Sequence, residues 1–270
     1  MRRKTCAGSG PVGGIIAVML LAACATSPLG REQLILFPDD EMQQMGAAAF
    51  QQIKQQTPQS DAQSVNRYVE CVADAVTAVA EEGQAGDWEV TVFAEDQVNA
   101  FALPGRKIGI YTGLLDVAEN QHQLATVIAH EVAHVLAHHG NERLSTQYAT
   151  STGLDLVAMV AGSDTATKQT ALGLLGLGAQ VGVLLPFSRS QETEADVLGL
   201  ELMAKAGFDP GESVDLWRNM IAASEGAPPE FLSTHPSGES RIEVLQNRLP
   251  QAGKLAEQAR AAGRRPDCGD

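Results

Sequence analysis

His130, Glu131 and His134 form H-E-x-x-H within the run Ile128-Ala-His-Glu-Val-Ala-His-Val-Leu-Ala-His-His139. On a helix of about 3.6 residues per turn, positions four apart share a face, so two imidazoles can project toward one metal ion. A glutamate beside them supplies a base that takes a proton from an attacking water. These are the residue types of a zinc-dependent hydrolase. The surrounding Ile128, Ala129, Val132, Ala133, Val135, Leu136 and Ala137 are apolar, which predicts an interior helix. A catalytic zinc takes three protein ligands and keeps one position open, so a third ligand must come from elsewhere. This helix is not expected to supply it. His138 lies about 12 Å beyond His130 along a straight axis, and neither it nor His139 is expected to reach the metal. Ala137 and Gly140 stand where a metzincin carries its glycine and third histidine.

The third ligand is sought in Ser188-Arg-Ser-Gln-Glu-Thr-Glu-Ala-Asp196, which leads into Val197, Leu198, Leu200 and Leu202 at helical spacing. Glu192 and Asp196 share a face, whereas Glu194 lies about 200° round from Glu192. One carboxylate completes the zinc ligands, and a second can accept the free ring N–H of a ligating histidine and fix its tautomer. Glu192 and Asp196 suit those two roles, and Glu194 is left outside the site. His235, in Ser-Thr-His-Pro-Ser, has two readings. As an oxyanion donor it would be catalytic; as a fourth ligand it would fill the open zinc position and keep the enzyme at rest.

The elements that must carry these groups read as a mainly helical α+β chain. Helices are predicted over Asp39 to Gln56 and from Ser60 or Asp61 to about Ala80, followed by a loop at Gly83 to Gly86. Trp88 to Ala94 reads as a strand. Asn99, Ala100, Phe101, Ala102 and Leu103 then pair with Lys107 to Thr112 across a Pro104-Gly105 turn. The edge of this hairpin is a natural seat for an extended polypeptide substrate. Gln121 opens the histidine helix, and Gly140 interrupts or ends it. Residues 153 to 188 are apolar, but Gln180 and Pro186 break the run, so a buried helical hairpin is expected rather than a membrane span. Asp209-Pro210 starts a helix reaching Ala223, Gly226 to Pro229 is a loop, and Glu239 to Leu249 is a last helix.

A chain of 270 residues with 44% apolar content is large enough for one substantial core. A net charge of −14, with no basic run after the first four residues, argues against nucleic acid as a partner. At the start, Arg2-Arg3-Lys4 precedes an apolar stretch from Val12 to Ala23 that is too short to span a bilayer and reads as an export signal. Leu21-Ala-Ala-Cys24 resembles a bacterial lipobox, which would make Cys24 the lipidated first residue of the mature chain. The expected organisation is a signal at 1–23, a tether at 24–38 punctuated by Pro28 and Pro38, a catalytic domain at 39–250, and a polar, mobile tail at 251–270. Export leaves Cys71 and Cys268 as an even pair in an oxidising compartment, hence a disulfide.

Taken together, Asn99 to Gly105, Gly113-Leu-Leu, H-E-x-x-H, Glu192-x-x-x-Asp196, Ser233-Thr-His-Pro-Ser and Arg241 resemble the CAAX-prenyl-endopeptidase and HtpX-like family of zinc metalloendopeptidases. The resemblance runs from about Asp39 to Leu249. It implies a zincin-like (gluzincin) fold, one zinc per chain, Glu192 as the third ligand, and Arg241 with Asp196 behind the ligands. Without the membrane spans of the prenyl-protein branch, the chain is similar to the periplasmic lipoprotein branch. That branch implies a lipid anchor on the periplasmic face of the bacterial outer membrane and a role in quality control of envelope proteins beside the outer-membrane assembly machinery. A zinc-containing, chaperone-like scaffold with little proteolysis is the competing class.

Overall fold

A computed structural model describes residues 24–80, 88–160, 186–223, 230–235 and 239–269. The expected export signal (1–23), the loops at 83–86 and 226–229, and most of the expected helical hairpin (161–185) lie outside them. Five strands and eight α-helices follow in order among the described residues: β1 Cys24–Thr26, β2 Glu32–Leu34, α1 Asp39–Gln56, α2 Gln63–Ala80, β3 Glu89–Phe93, β4 Ala100–Leu103, β5 Lys107–Tyr111, α3 Gln121–Leu136, α4 His139–Val160, α5 Arg189–Ala206, α6 Glu212–Ala223, α7 Glu230–Thr234 and α8 Glu239–Ala261. The chain is α+β and mainly helical, as its periodicities imply. No helix among the described residues is long and apolar enough to cross a membrane.

The larger sheet has the order β3-β5-β4. β4 and β5 form the antiparallel hairpin read from Pro104-Gly105, while β3 joins the far side of β5 in parallel. This leaves β4 as an edge, packed against α3. Phe50 of α1 meets Phe93 and Phe101 edge-on, at centroid distances of 6.4 and 6.2 Å, and so seats α1 on the sheet. Phe50 and Phe93 are fully buried, each contributing about 1.5–3 kcal/mol in apolar transfer.

The main core forms around α3. The Asn120 side chain accepts the N–H groups of His122 and Gln123 and so starts this helix. Leu124, Ala125, Ile128, Ala129, Val132 and Ala133 are fully buried. The valine stripe of α2 covers one side of α3, and α5 lies along another with α8 behind it. Gly199 permits the α3–α5 contact, because a Cβ there would come within 2.9 Å of the His130 backbone nitrogen. Gly207 ends α5 with φ +100°, a conformation that glycine adopts at little cost.

Four features differ from the sequence reading. Residues 24–36 form a docked hairpin, not a tether: β1 pairs antiparallel with β2, Ser27 and Gln33 are buried, and Gln33 donates to the Ala137 carbonyl at 2.7 Å. The segment is held by polar groups, so it carries no hydrophobic period to recognise. Residues 251–261 extend α8 instead of opening a tail. Ala252, Ala256 and Ala259 are buried at helical spacing, and the helix continues through Pro250, although proline gives up its hydrogen bond toward Gln246 and crowds that carbonyl. Beyond the helix, Gln121 accepts the Cys268 N–H at 2.9 Å, and Cys268 is joined to Cys71 by a disulfide across a Cα–Cα distance of 5.6 Å. Finally, the break after the histidine helix falls at His138, with φ +54°, while Gly140 lies inside α4. α6 starts at Glu212, after a turn in which the Asp209 carboxylate accepts the Gly211 N–H.

Candidate active site

α3 presents His130 and His134 with their Nε2 atoms 3.1 Å apart. α5, opened by a capping box of Ser188 and Gln191, brings Glu192 to them, with carboxylate oxygens 3.5 Å from each Nε2. The segment after α7 adds His235, whose Nδ1 is 3.0 Å from Glu192 Oε1 and 3.3 Å from His130 Nε2. All four residues are buried, and one ligand atom from each lies within 4.8 Å of the others. Zinc bonds of about 2.0–2.1 Å in a tetrahedron separate neighbouring ligand atoms by about 3.4 Å, close to the contacts seen here. Glu131, Glu192 and Asp196 are three buried carboxylates, opposed directly by Arg241 and more remotely by Arg143, whose guanidinium lies 4.0 Å over the Phe187 ring. Imidazole and carboxylate together are the donor types of a catalytic zinc site. The residues fit one zinc ion.

The groups behind the ligands hold them in place. Asp196 Oδ1 is 3.2 Å from His130 Nδ1, which turns Nε2 of that ring toward the other donors. Arg241 grips Asp196 with two hydrogen bonds of 2.7 and 2.6 Å and lies 3.9 Å over the Trp217 ring. Its Nη1 is also 2.6 Å from Glu192 Oε2, close enough for charge attraction though off the hydrogen-bonding direction. His134 stacks on Phe187 at 3.9 Å and His235 on Phe231 at 4.5 Å. Burial pushes His134 well below its ordinary pKa, toward the neutral ring that ligation requires. Burial also works against ionised Glu192, but the His130, His134 and His235 rings around it hold it far below the usual carboxylate range.

Glu131 is prepared differently. Burial raises its carboxyl above the ordinary value, against the attraction of His235 and His130. Its Oε2 accepts the Ala102 N–H of β4 at 3.2 Å, while Oε1 is buried and accepts no hydrogen bond. In the β4–β5 ladder, Tyr111 N–H bonds to Asn99 C=O, so by the antiparallel alternation the backbone groups of Ala100 and Ala102 point to the open edge. Asn99 Oδ1 already takes the Ala100 N–H at 2.9 Å.

The fold thus gathers His130, Glu131, His134, Glu192, Asp196, His235 and Arg241, and lays Asn99 to Leu103 beside Glu131. Cys71 and Cys268 pair with each other instead, and Cys24 begins β1. His138 is half exposed near Asp39, away from the donors. His139 and Glu194 are the residues that sequence reasoning missed. His139 is fully buried against His134, and Glu194 is buried against His139. The adjacent histidines after H-E-x-x-H were the available signal, but a straight helix would have carried them away from the site.

The family model for peptidase family M48 matches residues 59–249. The chain belongs to peptidase family M48. It is 41% identical over 167 residues to "Mitochondrial metalloendopeptidase OMA1" of Schizosaccharomyces pombe, covering 61% of this chain and 48% of that protein. It is 34% identical over 204 residues to "Metalloendopeptidase OMA1, mitochondrial" of Bos taurus, covering 72% and 37%. With "Beta-barrel assembly-enhancing protease" of Escherichia coli (strain K12) it shares 30% over 171 residues, 61% and 35%. The chain spans half or less of the length of these relatives. The resemblance read from the motifs therefore stands at the level of M48 zinc metallopeptidases. The narrower HtpX-like, bacterial lipoprotein branch does not follow, because the relatives include mitochondrial proteins as well as a bacterial one.

Proposed function

We propose that this M48 chain is a zinc metalloendopeptidase whose site stands in a resting state, with His235 as a fourth ligand. The observation that carries the reading is the buried set His130, His134, Glu192 and His235 beside Glu131 Oε1, a carboxylate oxygen with no hydrogen bond of its own. His130, His134 and Glu192 would hold the zinc, which when bound would lower the pKa of a water molecule and polarise the scissile carbonyl. The Ala102 N–H holds Glu131 by Oε2, so Oε1 is the atom that takes the proton from the attacking water and delivers it to the leaving amine. The β4 edge, on the side where the Ala100 and Ala102 carbonyls point outward, would align the substrate backbone as an added strand. His235 must move aside before water can enter, and only then could it serve as an oxyanion donor. The purified protein should hydrolyse casein, and a chelator should abolish this. Casein left intact both by zinc-loaded wild type and by zinc-loaded His235→Ala would favour the competing scaffold reading.

The cellular reading goes further. We place the enzyme in the bacterial envelope, with residues 1–23 removed, Cys24 lipidated at the periplasmic face of the outer membrane, and misfolded envelope proteins as substrates. The lipobox-like Leu21-Ala-Ala-Cys24 supports it, as does the Cys71–Cys268 disulfide, which suits an oxidising compartment. The likeness to a bacterial protein named for β-barrel assembly supports the outer-membrane assembly machinery as a neighbour. Labelled palmitate should enter the wild-type protein and be lost in Cys24→Ser. An unlabelled wild type would remove the anchor from the account.

A further inference from the structure

On the side of His134 turned away from the donor set, a second line of groups runs outward. His134 Nδ1 is 2.9 Å from His139 Nδ1, and His139 Nε2 is 3.2 Å from Glu194 Oε2. Glu194 in turn accepts the Leu29 N–H at 3.1 Å and Arg31 Nε at 3.0 Å, both from the N-terminal hairpin. Nothing in the proposed reaction uses His139 or Glu194, yet both are buried.

Counting hydrogens gives the line a direction. A Glu194 carboxylate can only accept, so His139 Nε2 carries the hydrogen between them. Two ring nitrogens 2.9 Å apart cannot both carry one, and a neutral His139 with hydrogen on Nε2 has a bare Nδ1. His134 Nδ1 is then the donor, and its Nε2 is left with the lone pair facing His130 and Glu192. His130 reaches the same state directly, through Asp196 at 3.2 Å. The two histidines of H-E-x-x-H are thus backed by different devices, one a carboxylate and the other a carboxylate acting through a second imidazole.

We propose that His139 and Glu194 are positioning residues, which fix the tautomer and ring orientation of His134 from behind, with Arg31 of the hairpin holding Glu194 in register. This rests on His134 being a metal ligand, as proposed above. Groups that orient metal-binding histidines typically change metal affinity by about 10- to 100-fold when removed.

The test is zinc affinity of the full chain, measured by competition with a chromophoric chelator, together with the visible absorption spectrum of the cobalt-substituted protein. Wild type should bind one zinc and His134→Ala should lose it; failure there would remove the metal reading and this inference with it. With that established, His139→Ala should weaken zinc binding by about 10- to 100-fold and shift the cobalt bands. His139→Gln, whose amide oxygen can accept from His134 Nδ1–H, should recover most of both. If His139→Ala does not fold, Glu194→Gln decides, since it keeps the side-chain volume and should still weaken zinc several-fold. Wild-type affinity and an unchanged spectrum in the folded variants, with only thermal stability lowered, would make His139 a core residue and overturn the inference.

Discussion

Glu192 and Glu194 are two positions apart on one helix, yet they do different work. Glu192 faces the donor set, and Glu194 faces the N-terminal hairpin. The roughly 200° between them was legible from the helical period. Glu192→Ala should therefore cost nearly all bound zinc by elemental analysis, and retention of zinc in that variant would place the third ligand elsewhere. His235 presents a sharper choice. As a resting ligand, its replacement by Ala should raise basal casein cleavage; as an oxyanion donor alone, the same change should lower turnover by on the order of a hundredfold. The rise is expected, because His235 Nδ1 already lies 3.0 Å from Glu192 Oε1 among the four donors. H-E-x-x-H, Glu192 and Asp196 could be read because each obeys a helical period. His139 could not, because its position depends on a backbone turn at His138, where φ is +54° and no sequence pattern marks the break.

At the scale of elements, the helix and strand cores were legible, since apolar periodicity dictates them. The N-terminal hairpin was not, because charge and amide groups hold it down. Arg31 binds both oxygens of Glu142, and Gln33 and Gln191 add further hydrogen bonds to that carboxylate. Burial pushes the Glu142 carboxyl up, but these partners win and hold it below its ordinary value of 4.5. A depressed carboxyl stabilises the fold above its unfolded pKa, and that contribution disappears as pH falls through the folded value. Glu142→Gln should thus be less stable than wild type by about 1–2 kcal/mol near pH 7. In urea titrations the gap should close below about pH 4, the acid side of the ordinary glutamate pKa. A gap that persists at acid pH would mean that shape, not charge, seats the hairpin. Gly199 is the corresponding point on α5. Gly199→Ala drives a methyl against the His130 backbone, and should cost about 1–3 kcal/mol in stability. It should also lower zinc occupancy; an unaffected zinc content would show that α5 can shift without disturbing the ligands.

Across the whole molecule, the donor set is assembled from three distant parts of the chain: α3, α5 and the segment after α7. The last helix closes the structure, packing on α5 and leading to the Cys71–Cys268 bridge. The cysteine count announced that bridge, but the polar composition hid the helix before it, whose buried face is mostly alanine. A cross-link spanning 197 residues stabilises by about 5 kcal/mol in the chain-entropy model before any strain is deducted. Reduction should therefore lower the unfolding midpoint substantially, and an unchanged midpoint would mean that the C-terminal packing holds unaided. On the proposed reading, these parts converge on a hydrolytic zinc whose proton carrier is Glu131. Zinc content and casein cleavage measured on the same preparation of Glu131→Gln test it most directly. One zinc per chain is expected, as in wild type, with cleavage lost; zinc retained together with wild-type cleavage would remove Glu131 from the reaction.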